Sequence, residues 1–135
     1  MGGSVIRILY IGNSIDFLFG LEVSPLNGKI VVETSQEMNY GLEKIEEKKY
    51  DLVISEHDPP NLDSIEFLKA LEDLEKYDFS IIVVMNDYED FVKERILKCG
   101  ADRCLNRDEY LLEDIVHEIL DLADLDDERE ERRIA

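Results

Sequence analysis

Basic residues are few in this sequence beside its acids. Its 135 residues carry 15 lysines and arginines against 33 acids, for a formal net charge of −18. A field of that sign repels nucleic acid and anionic membrane surfaces and favours basic partners, so neither is an expected target. Cysteine is scarce too. Cys99 and Cys104 lie five residues apart with no histidines clustered around them. That fits neither a zinc pattern nor a C-x-x-C redox pair, and leaves two reduced thiols as the expectation. Apolar stretches of membrane-spanning length are missing. So is a secretory leader pattern, because Met1-Gly2-Gly3-Ser4 runs straight into a strand-like segment, and the expected setting is cytoplasmic. No Gly/Ser/Thr-rich phosphate loop follows that first segment, which speaks against a flavin-type cradle. Such acidity also occurs in salt-adapted and heat-adapted proteomes, and with eight lysines present the composition does not separate these.

What is present is a regular alternation of apolar runs and amphipathic stretches. Val5 to Ile11 (VIRILYI) is apolar almost throughout, as a central parallel strand covered on both faces would be. Asn13 or Ser14 can cap a short helix from Ile15 to Val23, which Gly20 is expected to break. Lys29 to Glu33 reads as a second strand, with Thr34 or Ser35 capping a helix from about Gln36 to Lys48. Asp51 to Ser55 is the third strand. Ile65, Leu68, Leu71 and Leu74 trace the next helix to about Lys76, and Phe79 to Met85 is the fourth strand. Tyr88 to Cys99 is helical, with Phe91, Ile96 and Leu97 as its apolar side and Gly100 as its stop. Arg103 to Leu105 is a short fifth strand. A last helix runs from Tyr110 to about Leu122, with Leu112, Ile115, Ile119 and Leu122 on one face.

Five strands alternating with five helices predict an α/β fold of the flavodoxin-like kind. It is a three-layer α/β/α sandwich around a five-stranded parallel sheet of order 2-1-3-4-5. One domain is expected over residues 1–122, followed by a charged tail over 123–135 that extends the helix or acts as a linker. Ligands of such sheets gather outside the carboxyl ends of the strands. That directs attention to Tyr50 to Leu68 (YDLVISEHDPPNLDSIEFL), where a strand delivers Glu56, Asp58 and Asp63 around Pro59-Pro60 before a helix begins.

This stretch resembles the phosphoacceptor segment of response-regulator (CheY-like) receiver domains. The resemblance extends from Arg7 to about Leu122 through the SIIVVM strand and the Lys98-Cys99-Gly100-Ala101-Asp102 turn. It implies two-component or phosphorelay signalling, in which a kinase histidine passes a phosphoryl group to an aspartate with the help of Mg²⁺. That chemistry needs a nucleophilic carboxylate, more acids for a hard cation, a lysine and a sensing hydroxyl. At each position the sequence departs. The acid pair falls on Gly12 and Asn13, and the acceptor aspartate on Glu56, whose extra methylene spoils in-line geometry. The hydroxyl switch falls on Met85, the aromatic switch on Cys104, and the lysine on Arg107, whose fork does not replace an ammonium. Asp16 reaches the missing acid pair only through a rearranged loop.

The resemblance therefore implies a degenerate, pseudo-receiver domain. It would be no enzyme, bind no metal or other cofactor, and act through protein contacts. The expected partners are a histidine kinase or other signalling domains, with a possible homodimer through helix 4, strand 5 and helix 5, roughly Tyr88 to Leu122, bordered by Asn86, Asp87 and Arg107. Two alternatives stay open: phosphorylation at Asp58 with an altered Mg²⁺ site, and a small-ligand sensor in the vacated pocket. Glu56 and Arg107 form either a structural ion pair or a lock on one state. His57 and His117 read as surface residues, Met85 as core, and Asp63 as a helix cap. Glu113 to Ala135 has ten acids against three arginines. The closing arginines before Ile134-Ala135 resemble the start of a signalling helix in archaeal proteins that join an N-terminal receiver to a PAS sensor and a histidine kinase.

Overall fold

Apolar runs become strands wherever both faces of a sheet are covered, and this sequence has five. In the computed structural model, which describes residues 5–24, 26–74, 78–86, 89–110 and 112–122, they are β1 (Ile6–Ile11), β2 (Ile30–Ser35), β3 (Leu52–His57), β4 (Ser80–Met85) and β5 (Arg103–Asn106). All pairings are parallel and the order is β2-β1-β3-β4-β5, as the alternation predicts. Helices α1 (Ile15–Val23), α2 (Met38–Glu47), α3 (Ser64–Glu72) and α4 (Asp90–Lys98) connect the strands, and α5 spans 112–122.

Strand alternation then sorts the side chains between two cores. Ile8, Tyr10, Leu52, Ile54, Ile82, Val84 and Leu105 face α1 and α5, where Phe17, Leu21, Ile115 and Ile119 close the layer. Leu9, Ile11, Val53, Ile81, Val83, Met85 and Cys104 face the opposite layer, built from Phe67, Leu68 and Leu71 of α3 and Ile96 of α4. β3 and β4 are buried along their whole length. Each fully buried aliphatic or phenyl side chain contributes about 1.5–3 kcal/mol.

Several local expectations are corrected. Gly20 does not break α1. A Cβ there would lie 2.5 Å from the Leu112 side chain, so the glycine lets α1 and α5 approach closely. Thr34 and Ser35 do not cap α2; β2 continues through both, pairing Ile11 with Ser35, and Glu37 stands at the helix start without a side-chain cap bond. Phe91 does not face the core. It is 66% exposed and Leu97 is also exposed, while Ile96 and Val92 supply the buried side of α4. β3 runs two residues further than expected, which carries Glu56 and His57 inside the sheet and buries both. The tail over 123–135, Lys76, Asp87 and Tyr88 lie outside the described residues. No helix among the described residues is long and apolar enough to cross a membrane.

Candidate functional site

At the carboxyl edge of the sheet the strand ends bring together residues far apart in the chain. Ile11 pairs with Ser55, so the next positions, Gly12 and Glu56, lie side by side, and Glu56 in turn pairs with Val84. On the far side Met85 pairs with Asn106, and the Arg107 N–H donates to the Met85 carbonyl at 2.8 Å. Arg107 thus stands at the exit of β5, on the face that β3 gives to Glu56.

The Glu56 carboxylate is engaged at both oxygens. Its Oε1 accepts the Tyr10 hydroxyl at 2.5 Å and pairs with the Arg107 guanidinium, and its Oε2 accepts the Asn13 N–H at 3.1 Å. The Tyr10 hydroxyl oxygen in turn accepts the Ser14 N–H at 3.1 Å, and Ser14 Oγ caps α1 by accepting the Phe17 N–H at 3.1 Å. The Tyr10 ring stacks on Phe17 with centroids 5.1 Å apart. Burial first, and then the bond to Glu56, push the Tyr10 hydroxyl well above the ordinary tyrosine range, so it remains a donor. A buried charge needs this many partners to offset its lost hydration.

Gly12 has a steric role here. A Cβ at this position would lie 2.5 Å from Glu56 Oε2 and 2.6 Å from the Tyr10 hydroxyl. The longer acid and the tyrosine fill the space that a side chain at position 12 would need.

The other singled-out residues divide between this centre and elsewhere. Asn13, Ser14, Glu56, His57, Asp58, Val84, Asn86 and Arg107 line one open cavity of about 280 Å³. Asp58 is exposed, its backbone pairing with Leu62 in both directions at 2.7 and 3.0 Å around a cis Pro59-Pro60 bond. Asp63 accepts the N–H groups of Ile65 and Glu66 and caps α3. His57 is buried, against the surface position expected, and its Nδ1 accepts the Ser64 N–H at 3.2 Å. His117 and Asp16 are exposed on their helices. Met85 and Cys104 are not at the cavity. They pack on the other face of the sheet with Sγ and Sδ 3.3 Å apart, and burial pushes the Cys104 thiol up to about 11. Among the described residues, no three histidines, cysteines or acids are grouped to hold a metal ion.

Tyr10 is the participant that reading by motif misses. The available signal was a tyrosine in an otherwise aliphatic strand, because a buried phenol needs a partner for its O–H. Two residues before Gly12, it shares the face on which Glu56 emerges.

A parallel 2-1-3-4-5 sheet is the flavodoxin-like arrangement, and solved structures of receiver domains share it. The chain superimposes on a CheY-like response regulator receiver domain protein from Methanospirillum hungatei JF-1 with a TM-score of 0.79 at 21% identity, covering 93% of this chain and 99% of that one. The signal receiver domain of an HD domain-containing protein from Pseudomonas fluorescens Pf-5 gives 0.79 at 17% identity over 98% and 96%. A two-component response regulator from Clostridium difficile gives 0.74 at 20% over 87% and 94%. No family model and no curated protein matches the sequence. The chain therefore has the CheY-like receiver fold, with an acid–tyrosine–arginine centre at the carboxyl edge of its sheet.

Proposed function

We propose that the domain is a pseudo-receiver of two-component or phosphorelay signalling, working by protein contact and not by phosphorylation of an aspartate. The observation that carries this reading is the engagement of Glu56. A phosphoacceptor carboxylate must present an oxygen for in-line attack, whereas both Glu56 oxygens are held by Tyr10, Asn13 and Arg107. The carboxylate's charge is already balanced by an arginine, so the centre imitates the charge pairing of a phosphorylated receiver without a phosphoryl group.

Mg²⁺, which the fold implies, does not fit this donor set. A hard dication takes several carboxylate and carbonyl oxygens. Here Glu56 and Asp58 are the acids lining the cavity, Glu56 is paired with a guanidinium, and Gly12 and Asn13 add no charge. No chemical step is assigned to a metal.

The contact surface on this reading is α4, β5 and α5, toward a histidine kinase, another signalling domain or a second copy. Phe91 and Leu97 of α4 and Leu120 of α5 are exposed there. Arg107 joins Glu56 to the start of the β5–α5 connection, so the ion pair holds this face in one arrangement.

Asp58 lines the same cavity and is exposed, which favours a second reading with Asp58 as acceptor. Incubation with acetyl phosphate and Mg²⁺ followed by intact mass measurement separates the two. The pseudo-receiver reading predicts no mass gain. A stable acyl phosphate contradicts it, and its loss in Asp58→Asn would assign the phosphoryl group to Asp58.

A further inference from the structure

The loop between α1 and β2 holds an Asn27-Gly28 pair that is exposed and that the Glu56 centre does not use. The Lys29 N–H donates to the Leu26 carbonyl at 2.8 Å, so Asn27 and Gly28 are the two central residues of a four-residue turn. Gly28 has φ +82°, a left-handed value that glycine adopts at the third turn position without strain. Its N–H takes no part in the closing bond and has no acceptor among the described residues. A Cβ at Gly28 would meet nothing within 4 Å, so no packing shields this nitrogen or resists rotation of its peptide. The fold withholds that freedom from other asparagines. The backbone nitrogen after Asn13 donates to the Tyr10 hydroxyl, the one after Asn61 to the Asp58 carbonyl, and the one after Asn106 to the Met85 carbonyl. Asn39 lies inside α2 and is followed by the bulky Tyr40. Asn86 is followed by Asp87, which lies outside the described residues.

An unshielded backbone amide next to a side-chain amide places a nucleophile beside an electrophile. We propose that Asn27 is a modification site, where the chain deamidates spontaneously with water as the second reactant. The Gly28 nitrogen bonds to Asn27 Cγ and closes a five-membered succinimide. The Cγ–Nδ2 bond breaks, and Nδ2 leaves as ammonia with the proton from the Gly28 nitrogen. Water then adds to one imide carbonyl and breaks that carbonyl's bond to nitrogen, returning a proton to it. Opening at Cγ gives aspartate. Opening at the main-chain carbonyl gives isoaspartate, in which the chain continues through the side-chain carbons. Either product adds a negative charge to the open groove of about 420 Å³ that Asn27 and Gly28 line with Glu22 and Ile30. The isoaspartyl form also lengthens the turn that sets β2 against β1, where the Ile6 N–H donates to the Lys29 carbonyl at 2.9 Å. The change falls on the edge strand β2, and the inference does not depend on whether the domain is phosphorylated.

The test incubates the full chain at mildly alkaline pH, where the attacking amide loses its proton more readily, and separates the more acidic form by anion exchange. Peptide mapping locates the change, and methylation by an isoaspartyl methyltransferase with S-adenosylmethionine counts the isoaspartate. Aspartate and isoaspartate are expected first at position 27, at least about tenfold faster than at any other asparagine and within about tenfold of the rate in urea, because the turn is exposed and unprotected. Asn27→Gln keeps a surface amide but must close a larger ring, and is expected to slow formation of the acidic form by at least about tenfold. The ranking of the asparagines on the unmodified chain stands without that variant. Modification that appears first at another asparagine, an Asn27 that stays intact in the folded chain while it reacts in urea, or an acidic form undiminished in Asn27→Gln would each overturn the proposal.

Discussion

Arg107 and Glu56 form an ion pair across 51 positions of the chain, and the Glu56 oxygen that receives the guanidinium also receives the Tyr10 hydroxyl. One carboxylate thereby ties β1, β3 and the exit of β5 together. Glu56→Gln keeps the shape but removes the charge from a pair whose arginine is about one-third exposed. The expected loss is on the order of 2 kcal/mol, below the range for a fully buried pair. Urea unfolding with an unchanged slope measures it, and Glu56→Gln combined with Arg107→Ala should cost less than the sum of the two. Strict additivity would mean that the two side chains are not coupled.

Gly12 leaves room for that carboxylate and for the tyrosine. Gly12→Ala is expected to cost about 1–3 kcal/mol through forced displacement of Glu56 or Tyr10. In Tyr10→Phe, which removes one of the two obstructing oxygens, the same change should cost less. Equal cost in both backgrounds would contradict the packing described.

Tyr10 also gives a pH dependence of defined sign. Burial and the bond to Glu56 hold its hydroxyl above the ordinary range, so folded Tyr10 keeps its proton at a pH where unfolded tyrosine has lost it. Its contribution to stability is fully present below about pH 10 and is lost as pH rises beyond that, at up to about 1.4 kcal/mol per pH unit. Urea midpoints between pH 9 and 11 should therefore fall more steeply for the unmodified chain than for Tyr10→Phe. Parallel curves would show that Tyr10 does not carry the effect.

The two thiols should differ in reactivity. Cys104 is buried against Met85 with its thiol pushed up to about 11, whereas Cys99 is half-buried. An aromatic disulfide reagent at pH 8 is expected to modify one thiol per chain quickly and the second only on unfolding. Two equally fast thiols would place Cys104 at the surface.

The sheet order and the start of α1 were legible because they follow from alternation and from punctuation by Ser14, which acts locally. The misreadings share a cause. Ser35 has the chemistry of a helix cap, yet its register partner Ile11 extends β2 through it, and strand pairing outweighs a cap preference. Phe91 looks like core by hydropathy, but α4 rests on Ile96 and Val92, and helix rotation is set by tertiary packing that a nine-residue pattern leaves undetermined. At the site, Glu56 could be named from the strand that delivers it, and Arg107 from the resemblance to receiver domains. The Tyr10 hydroxyl and the space above Gly12 arise from three strands meeting, which pairwise spacing does not encode.

The central claim is that the centre is closed to phosphoryl chemistry by its own side chains. It is tested most directly by an amide chemical-shift map of the domain titrated with Mg²⁺ and then with beryllofluoride, which imitates a phosphoryl group on a carboxylate. The account predicts no saturable shifts at Asn13, Glu56, Asp58, Asn86 or Arg107. Saturable shifts at those residues, spreading into α4 and α5, would contradict it and restore a working switch.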